Sequence, residues 1–160
     1  MPTPPSHPPL YTVANYTPDD SIGALIHQVK LRMTQSMDER ISDLDITAAQ
    51  WLVLKHIAAT DGQTASALCK GSGCDTGSMT RMLDRLEEKG LIRRERSTTD
   101  RRVQQLHLTD AGRALLPTLV PRVVDALNTL LTDFSEAELD TLKSMLRRML
   151  RNLDGSKTPN

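Results

Sequence analysis

A change of period at Gly90 limits what this chain can fold into more than any other feature. Before that glycine, apolar residues recur every three or four positions. After it, LIRRERS (91–97) and VQQLHL (103–108) form two short strand-like runs, joined by the polar stretch Thr98-Thr99-Asp100-Arg101-Arg102. Two such runs across a polar turn predict a β-hairpin. An isolated hairpin is marginal in water, so this one must lean on the helices that precede and follow it.

Those helices carry their own punctuation. From Ser21 the apolar residues Ile22, Leu25, Ile26, Val29, Met33, Met37, Ile41 and Leu44 fall in steps of three and four, predicting one long amphipathic helix. Thr47 and Gln50 form a T-x-x-Q capping box that opens a second, with Trp51, Leu52, Leu54 and Ile57 as its apolar face and Asp61-Gly62 as its stop. Thr64 caps a short third helix through Leu68, ended by the turn Gly71-Ser72-Gly73. Asp75 is placed to cap a fourth, with Met79, Met82, Leu83 and Leu86 as its buried stripe and Gly90-Leu91 as a Schellman stop. Beyond the hairpin, Thr109 caps a helix from Asp110 to about Thr132, in which Pro117 and Pro121 predict a bend. Ser135 and Glu138 open the last, with Leu139, Leu142, Leu146, Met149, Leu150 and Leu153 on one face. The expected order is α-α-α-α-β-β-α-α. Residues 1–18 hold six of the nine prolines and read as an extended arm; 19–153 read as a single body and 154–160 as a flexible tail.

Composition removes several classes of function. The 160 residues have 20 basic and 20 acidic side chains, so net charge advertises no partner. Only Tyr11, Tyr16, Trp51 and Phe134 are aromatic, too few for a module that stacks single-stranded bases. Cys69 and Cys74 lie five positions apart with no histidine nearby, and His7, His27, His56 and His107 are scattered, so no metal is expected. No nucleophile has a recognisable base and no phosphate-cradling loop precedes a helix, so neither catalysis nor a cofactor is expected. No uncharged apolar run approaches the ~18 residues of a membrane span. MPTPPSHPPL lacks the basic start and apolar core of a secretory leader. A cytosolic protein is expected.

Zero net charge conceals a gradient. Residues 1–69 sum to −3, 70–102 to +3, and 103–160 to zero. The positive stretch holds the fourth helix and the hairpin. Screening confines phosphate attraction to roughly 8–10 Å, so a local excess is what a duplex feels. The fourth helix opens on small, hydrogen-bonding residues (Asp75, Thr76, Gly77, Ser78, Thr80), which allow close approach to a groove floor, and Arg81 and Arg85 follow. A short helix and a glycine turn come before it, the arrangement that presents a helix N-terminus to the major groove. The hairpin carries Arg101 and Arg102 at its tip. A solvated helix face is the ordinary reading of Arg85, Glu88 and Lys89, and Met79 fits either the buried stripe or the contact surface.

The run TASALCKGSGCDTGSMTRMLDRLEEKGLIR (64–93), ITAAQWLVL (46–54) and DRRVQQLHLTDAG (100–112) together resemble the MarR family of bacterial transcriptional regulators. The resemblance implies a mainly α fold with a small β-hairpin wing. In it a winged helix-turn-helix (about 46–109) is flanked by dimerisation helices (about 19–45 and 110–153). It also implies a homodimer on a palindromic operator of double-stranded DNA, most often a repressor, working in the bacterial cytoplasm and bound to the nucleoid. The DNA contacts it implies are Asp75, Thr76, Ser78, Met79, Thr80, Arg81, Arg85, Asp100, Arg101 and Arg102, with Arg102 entering the minor groove and Asp100 orienting it. Thr109 and Gly112 become a cap and a close-packing point. An effector pocket falls on His27, Lys30, Met33, Met37, Arg40, Trp51 and Arg113, with Arg32 nearby and Trp51 equally suited to the core. An aromatic or phenolic carboxylate fits such a set through an arginine fork. Two alternatives stay open: a thiol switch at Cys69 or Cys74, and a winged helix used only for protein contact.

Overall fold

A computed structural model of the chain describes residues 8–72, 74–100 and 102–155. Its elements are α1 (Ile22–Ile41), α2 (Ala48–Ala59), α3 (Ala65–Ser72), α4 (Thr76–Glu88), β1 (Ile92–Arg96), β2 (Gln104–Leu108), α5 (Asp110–Leu130) and α6 (Glu136–Gly155). The strands pair antiparallel, with Ile92 opposite Leu108 and Arg96 opposite Gln104. The fold is mainly helical with one hairpin, in the order the sequence predicts.

The caps explain the boundaries. Thr47 Oγ1 accepts from Gln50 N at 3.2 Å while the Gln50 side chain accepts from Thr47 N at 3.1 Å, closing the capping box of α2. At the end of α4, Gly90 takes φ 67°, its N–H reaches Glu87 O at 2.8 Å, and Leu91 N reaches Leu86 O at 3.0 Å. These two bonds are the Schellman pair, and the left-handed residue is the glycine that tolerates it. Ser135 and Glu138 close the second box at the start of α6.

Ile41, Leu54, Ile57, Met79, Leu83, Leu86, Ile92, Leu106 and Leu119 are the largest fully buried side chains. All but Ile41 and Leu119 come from α2 to β2, where each is worth about 1.5–3 kcal/mol of transfer energy. The hairpin also pairs with a segment that carries no strand pattern of its own. Gly62 N donates to Leu106 O at 3.1 Å and Leu106 N to Gln63 O at 2.8 Å, so the α2–α3 link adds a single bridge to β2. At the joint with α5, a Cβ on Gly112 would stand 2.1 Å from the Leu91 carbonyl oxygen, so the packing there requires glycine. Thr109 holds the same joint. Its Oγ1 accepts from Gly112 N at 3.1 Å and donates to Gly90 O at 2.6 Å.

Several expectations need correction. α1 stops at Ile41, and the stripe reaches Leu44 through a 3₁₀ turn, Ser42–Leu44, that ends on left-handed Asp45. In α2 Leu52 is exposed and Val53 takes its place in the core. α3 continues through Gly71 and Ser72; a glycine costs only ~1 kcal/mol in a helix, and here it falls in the last turn. Pro117 and Pro121 do not interrupt α5, which continues as helix through both. Both prolines and Arg113 are exposed, so water can satisfy the carbonyls they leave unpaired. The arm is not extended throughout. Thr12 N donates to Asn15 Oδ1 at 2.6 Å, the Tyr11 and Tyr16 rings meet edge to face at 6.1 Å, and Tyr11 Oη accepts from Ile22 N at 2.9 Å, capping α1. α6 runs to Gly155, two residues beyond the expected end of the body; residues 1–7 and 156–160 lie outside the described residues.

Candidate nucleic-acid interface

The N-terminus of α4 is built by Asp75. Its Oδ1 accepts from Ser78 N at 2.9 Å, and hydrogen bonds from Ser78 hold its carboxyl below the usual carboxylate range. The helix thus starts abruptly, with Thr76, Gly77, Thr80 and Arg81 exposed and Ser78 half-buried. Thr80 Oγ1 donates to Thr76 O at 2.8 Å, which leaves its lone pairs free to accept. A Cβ on Gly77 would sit 3.9 Å from Arg81 Nη2, so that guanidinium folds back toward the helix start. Arg85 is exposed one turn further on. Met79 does not join this surface. At 1 % exposure it belongs to the core, four and seven residues before Leu83 and Leu86 on one helical face, and it is withdrawn as a contact.

The hairpin tip is organised by Ser97 and Asp100. Ser97 is buried and its Oγ accepts from Thr99 N at 3.3 Å and Asp100 N at 3.4 Å. Asp100 Oδ1 accepts from Arg102 N at 2.9 Å, and Asp100 O accepts from Val103 N at 3.0 Å. Asp100 therefore orients Arg102 through its backbone, leaving the guanidinium exposed. Arg101 lies outside the described residues.

Counting basic residues overstates the free positive charge. Lys89 binds Asp45 at 3.0 Å, Arg93 binds Glu95 at 2.6 Å, and Arg94 binds Asp84 at 2.6 Å and Glu87 at 2.9 Å. The Arg93 hydrogen bond also lowers the Glu95 pKa. Among the described residues Arg81, Arg85, Arg96 and Arg102 form no ion pair. Arg81 and Arg85 lie four apart on α4, Arg96 ends β1 and Arg102 stands at the hairpin tip, all exposed, so phosphate attraction there costs no internal pair.

A separate cavity of about 290 Å³ lies where α1, α2 and the start of α4 meet. Lys30, Met33 and Met37 line it as expected, joined by Thr34, Leu52, His56, Cys74 and Met82, which sequence reasoning missed. Steps of three and four link Lys30, Met33, Thr34 and Met37, as they do Leu52 and His56, so each half was visible as a helix face. Their meeting was not. Four expected residues fall elsewhere. His27 is exposed on α1 and off the cavity wall, and Trp51 is buried in the core. Arg40 is engaged, its Nε 2.8 Å from Asp125 and its Nη2 2.9 Å from Thr129 Oγ1, and Arg113 stands 3.9 Å from Asp110. Arg32 is exposed and absent from the wall. Among the described residues no three His, Cys, Asp or Glu side chains gather as a metal set, and no helix is long and apolar enough to cross a membrane.

A capped helix with an open N-terminal face, followed by an arginine-tipped hairpin packed on its C-terminal end, defines a winged-helix DNA-binding protein. Comparisons with known proteins agree. The sequence signature of the MarR family matches residues 46–103. The multiple antibiotic resistance protein MarR of Escherichia coli K12 is 36% identical over 130 residues, 81% of this chain and 90% of that protein. A cysteine-to-serine mutant of E. coli MarR complexed with operator DNA superposes with TM-score 0.75 at 36% identity, covering 80% of this chain and 92% of that one. The transcriptional repressor CouR bound to a 23-mer DNA duplex gives 0.76 at 29% identity, covering 82% and 94%. The chain belongs to the MarR family of DNA-binding transcription regulators, whose members are not enzymes.

Proposed function

We propose that this regulator acts as a homodimeric repressor on the bacterial nucleoid. In this reading it places two α4 helices in successive major grooves of a palindromic operator and two Arg102-bearing wings in the flanking minor grooves. Asp75, Thr76, Ser78, Thr80, Arg81 and Arg85 then form the major-groove surface, with Thr80 and Arg81 the side chains suited to base edges. A guanidinium suits the negative potential of a narrow minor groove and sheds water more readily than an ammonium. The observation that carries the reading is Arg102, exposed, in no ion pair and with its backbone held by Asp100 at the hairpin tip, on the hairpin that follows the open-faced α4. Arg101, outside the described residues, adds a second cation by its position in the sequence.

The homodimer rests on exposed apolar surface. Ile22, Leu25, Ile26 and Val29 on α1, Val120, Val124 and Leu127 on α5, and Leu142, Leu146, Met149 and Leu150 on α6 are all open in the single chain. A surface of that extent fits burial against a second copy. The effector reading moves to the 290 Å³ cavity. Its thioethers and aliphatic side chains suit an aromatic ring, and Lys30 with His56 suits the carboxylate or phenolate in place of the arginines. Met79 and Met82 bring α4 onto the same wall, with Cys74 just ahead of its cap, so an occupant pushes on the DNA-contacting helix directly.

A gel shift across salt concentrations, on a duplex that the protein itself selects from a random library, tests the DNA reading. Affinity should fall steeply from low to moderate salt, and Arg102→Ala should weaken it by about 1–3 kcal/mol. Salt-insensitive binding, or no effect of Arg102→Ala, contradicts it. Thermal shifts with a panel of benzoate-type acids test the cavity; a ligand at 100 times its Kd adds about 2.7 kcal/mol. A thiol switch is the competing release mechanism because Cys74 shares this wall. It predicts release by mild peroxide that Cys74→Ser abolishes.

A further inference from the structure

Arg94 lies within the basic stretch yet faces away from solvent. The chain leaves α4 through Gly90, whose φ of 67° starts β1 in a new direction. Ile92 and Leu106 seat the hairpin in the core shared with Leu83 and Leu86, and Arg94, four residues beyond Gly90, adds a polar constraint directly between hairpin and helix. Its Nη2 lies 2.6 Å from Asp84 Oδ1 and its Nη1 2.9 Å from Glu87 Oε2, while its backbone N–H donates to Glu87 Oε1 at 3.2 Å. Asp84 and Glu87 are three apart on α4 and so share a face, where one planar guanidinium can span both carboxylates. Across the hairpin, Arg94 is paired with Leu106, which is buried, so the clasp acts on both strands.

We infer that Arg94 is a positioning residue for DNA engagement. It locks the angle between α4 and the wing, so that the Thr76–Arg81 surface and Arg102 meet a duplex as one rigid body. The inference rests on the reading of helix and wing as two DNA contacts. Arg94 also neutralises one of the two carboxylates beside it, and the test separates that effect from the clasp.

Fluorescence anisotropy of the full chain on its selected duplex, with hairpin and helix content checked by circular dichroism, reads the outcome. Arg102→Ala should weaken binding roughly tenfold and reduce the salt slope by about one. Arg94→Met should do the same although it touches no DNA. The double variant should be no weaker than Arg94→Met alone by more than about twofold, since a misplaced tip has nothing left to lose. Adding Asp84→Asn and Glu87→Gln to Arg94→Met removes the bare carboxylates and should still leave the loss in place. Arg94→Lys keeps the charge but cannot fork to both partners. It should show the same non-multiplicative pattern with Arg102→Ala, and it decides the matter if Arg94→Met does not fold. Losses that multiply to about a hundredfold, or full recovery in the charge-neutral variant, overturn the inference while leaving the DNA reading intact. An Arg102→Ala variant with unchanged affinity overturns both.

Discussion

The lobe from α2 to β2 and the last helix, α6, treat their apolar residues in opposite ways. In the lobe Leu54, Ile57, Leu83, Leu86, Ile92 and Leu106 are buried within one chain. On α6 Leu142, Met145, Leu146, Met149, Leu150 and Leu153 are all exposed, and no residue of that helix is buried. Both regions are amphipathic in sequence. The lobe satisfies its stripe locally, by short connections that bring each face onto the next. α6 folds on its capping box and propensity and leaves its stripe for a surface outside the chain. On the proposed homodimer, fold stability and assembly fall to different parts of the molecule, and substitutions should separate them.

The largest effect is expected in the lobe. Leu86, fully buried at the end of α4, should cost about 2–5 kcal/mol when changed to Ala, read as a fall in thermal midpoint that does not depend on protein concentration. Leu146→Asp on α6 should instead lower the midpoint in a concentration-dependent way and shift sedimentation toward the single chain. If both variants behaved alike, the division between the regions would fail.

At the joint between the lobe and α5, Gly112→Ala forces a methyl to within 2.1 Å of the Leu91 carbonyl unless the backbone moves. Urea unfolding should show about 1–3 kcal/mol of lost stability, the scale of an overpacked core. Thr109→Ala removes the neighbouring cap and should cost about 1 kcal/mol by the same assay.

The smallest effect is local to α4. Asp75 is depressed in the folded chain by its hydrogen bonds with Ser78, so its contribution is complete above the ordinary carboxylate pKa and is lost as pH falls through the lower folded value. Protection of the Thr76–Ser78 amides, taken relative to intrinsic exchange at each pH, should therefore fall below about pH 4 in the natural chain, while Asp75→Asn, which caps without titrating, should show no such fall. Protection that does not change with pH in either would remove Asp75 as the cap.

What the sequence disclosed follows the range of the physics. The capping boxes and the Schellman glycine depend on residues within five positions of one another, and the hairpin on pairs eight to sixteen apart across one turn; all are found where their signatures stand. Met79 is equally local: its spacing to Leu83 and Leu86 suits the core as well as a contact role suits its place on α4, and its burial decides between the two. Arg40 is the opposite case. Its partners Asp125 and Thr129 lie 85 and 89 residues away, so no window along the chain could show that the side chain is already engaged. The cavity was half legible for the same reason, since α1 and α2 each announce a face but not that the faces meet over Cys74 and Met82. In the arm, prolines signalled extension, yet one hydrogen bond from Ile22 N to Tyr11 Oη folds the segment back onto α1.

The most direct test of the account is a hydroxyl-radical footprint on the selected duplex combined with sedimentation of the complex. Two chains per duplex should protect two patches centred about 10 base pairs apart on a palindrome, with Arg102→Ala thinning the protection at the outer minor grooves. One chain per duplex, or a single protected patch without twofold symmetry, would contradict it.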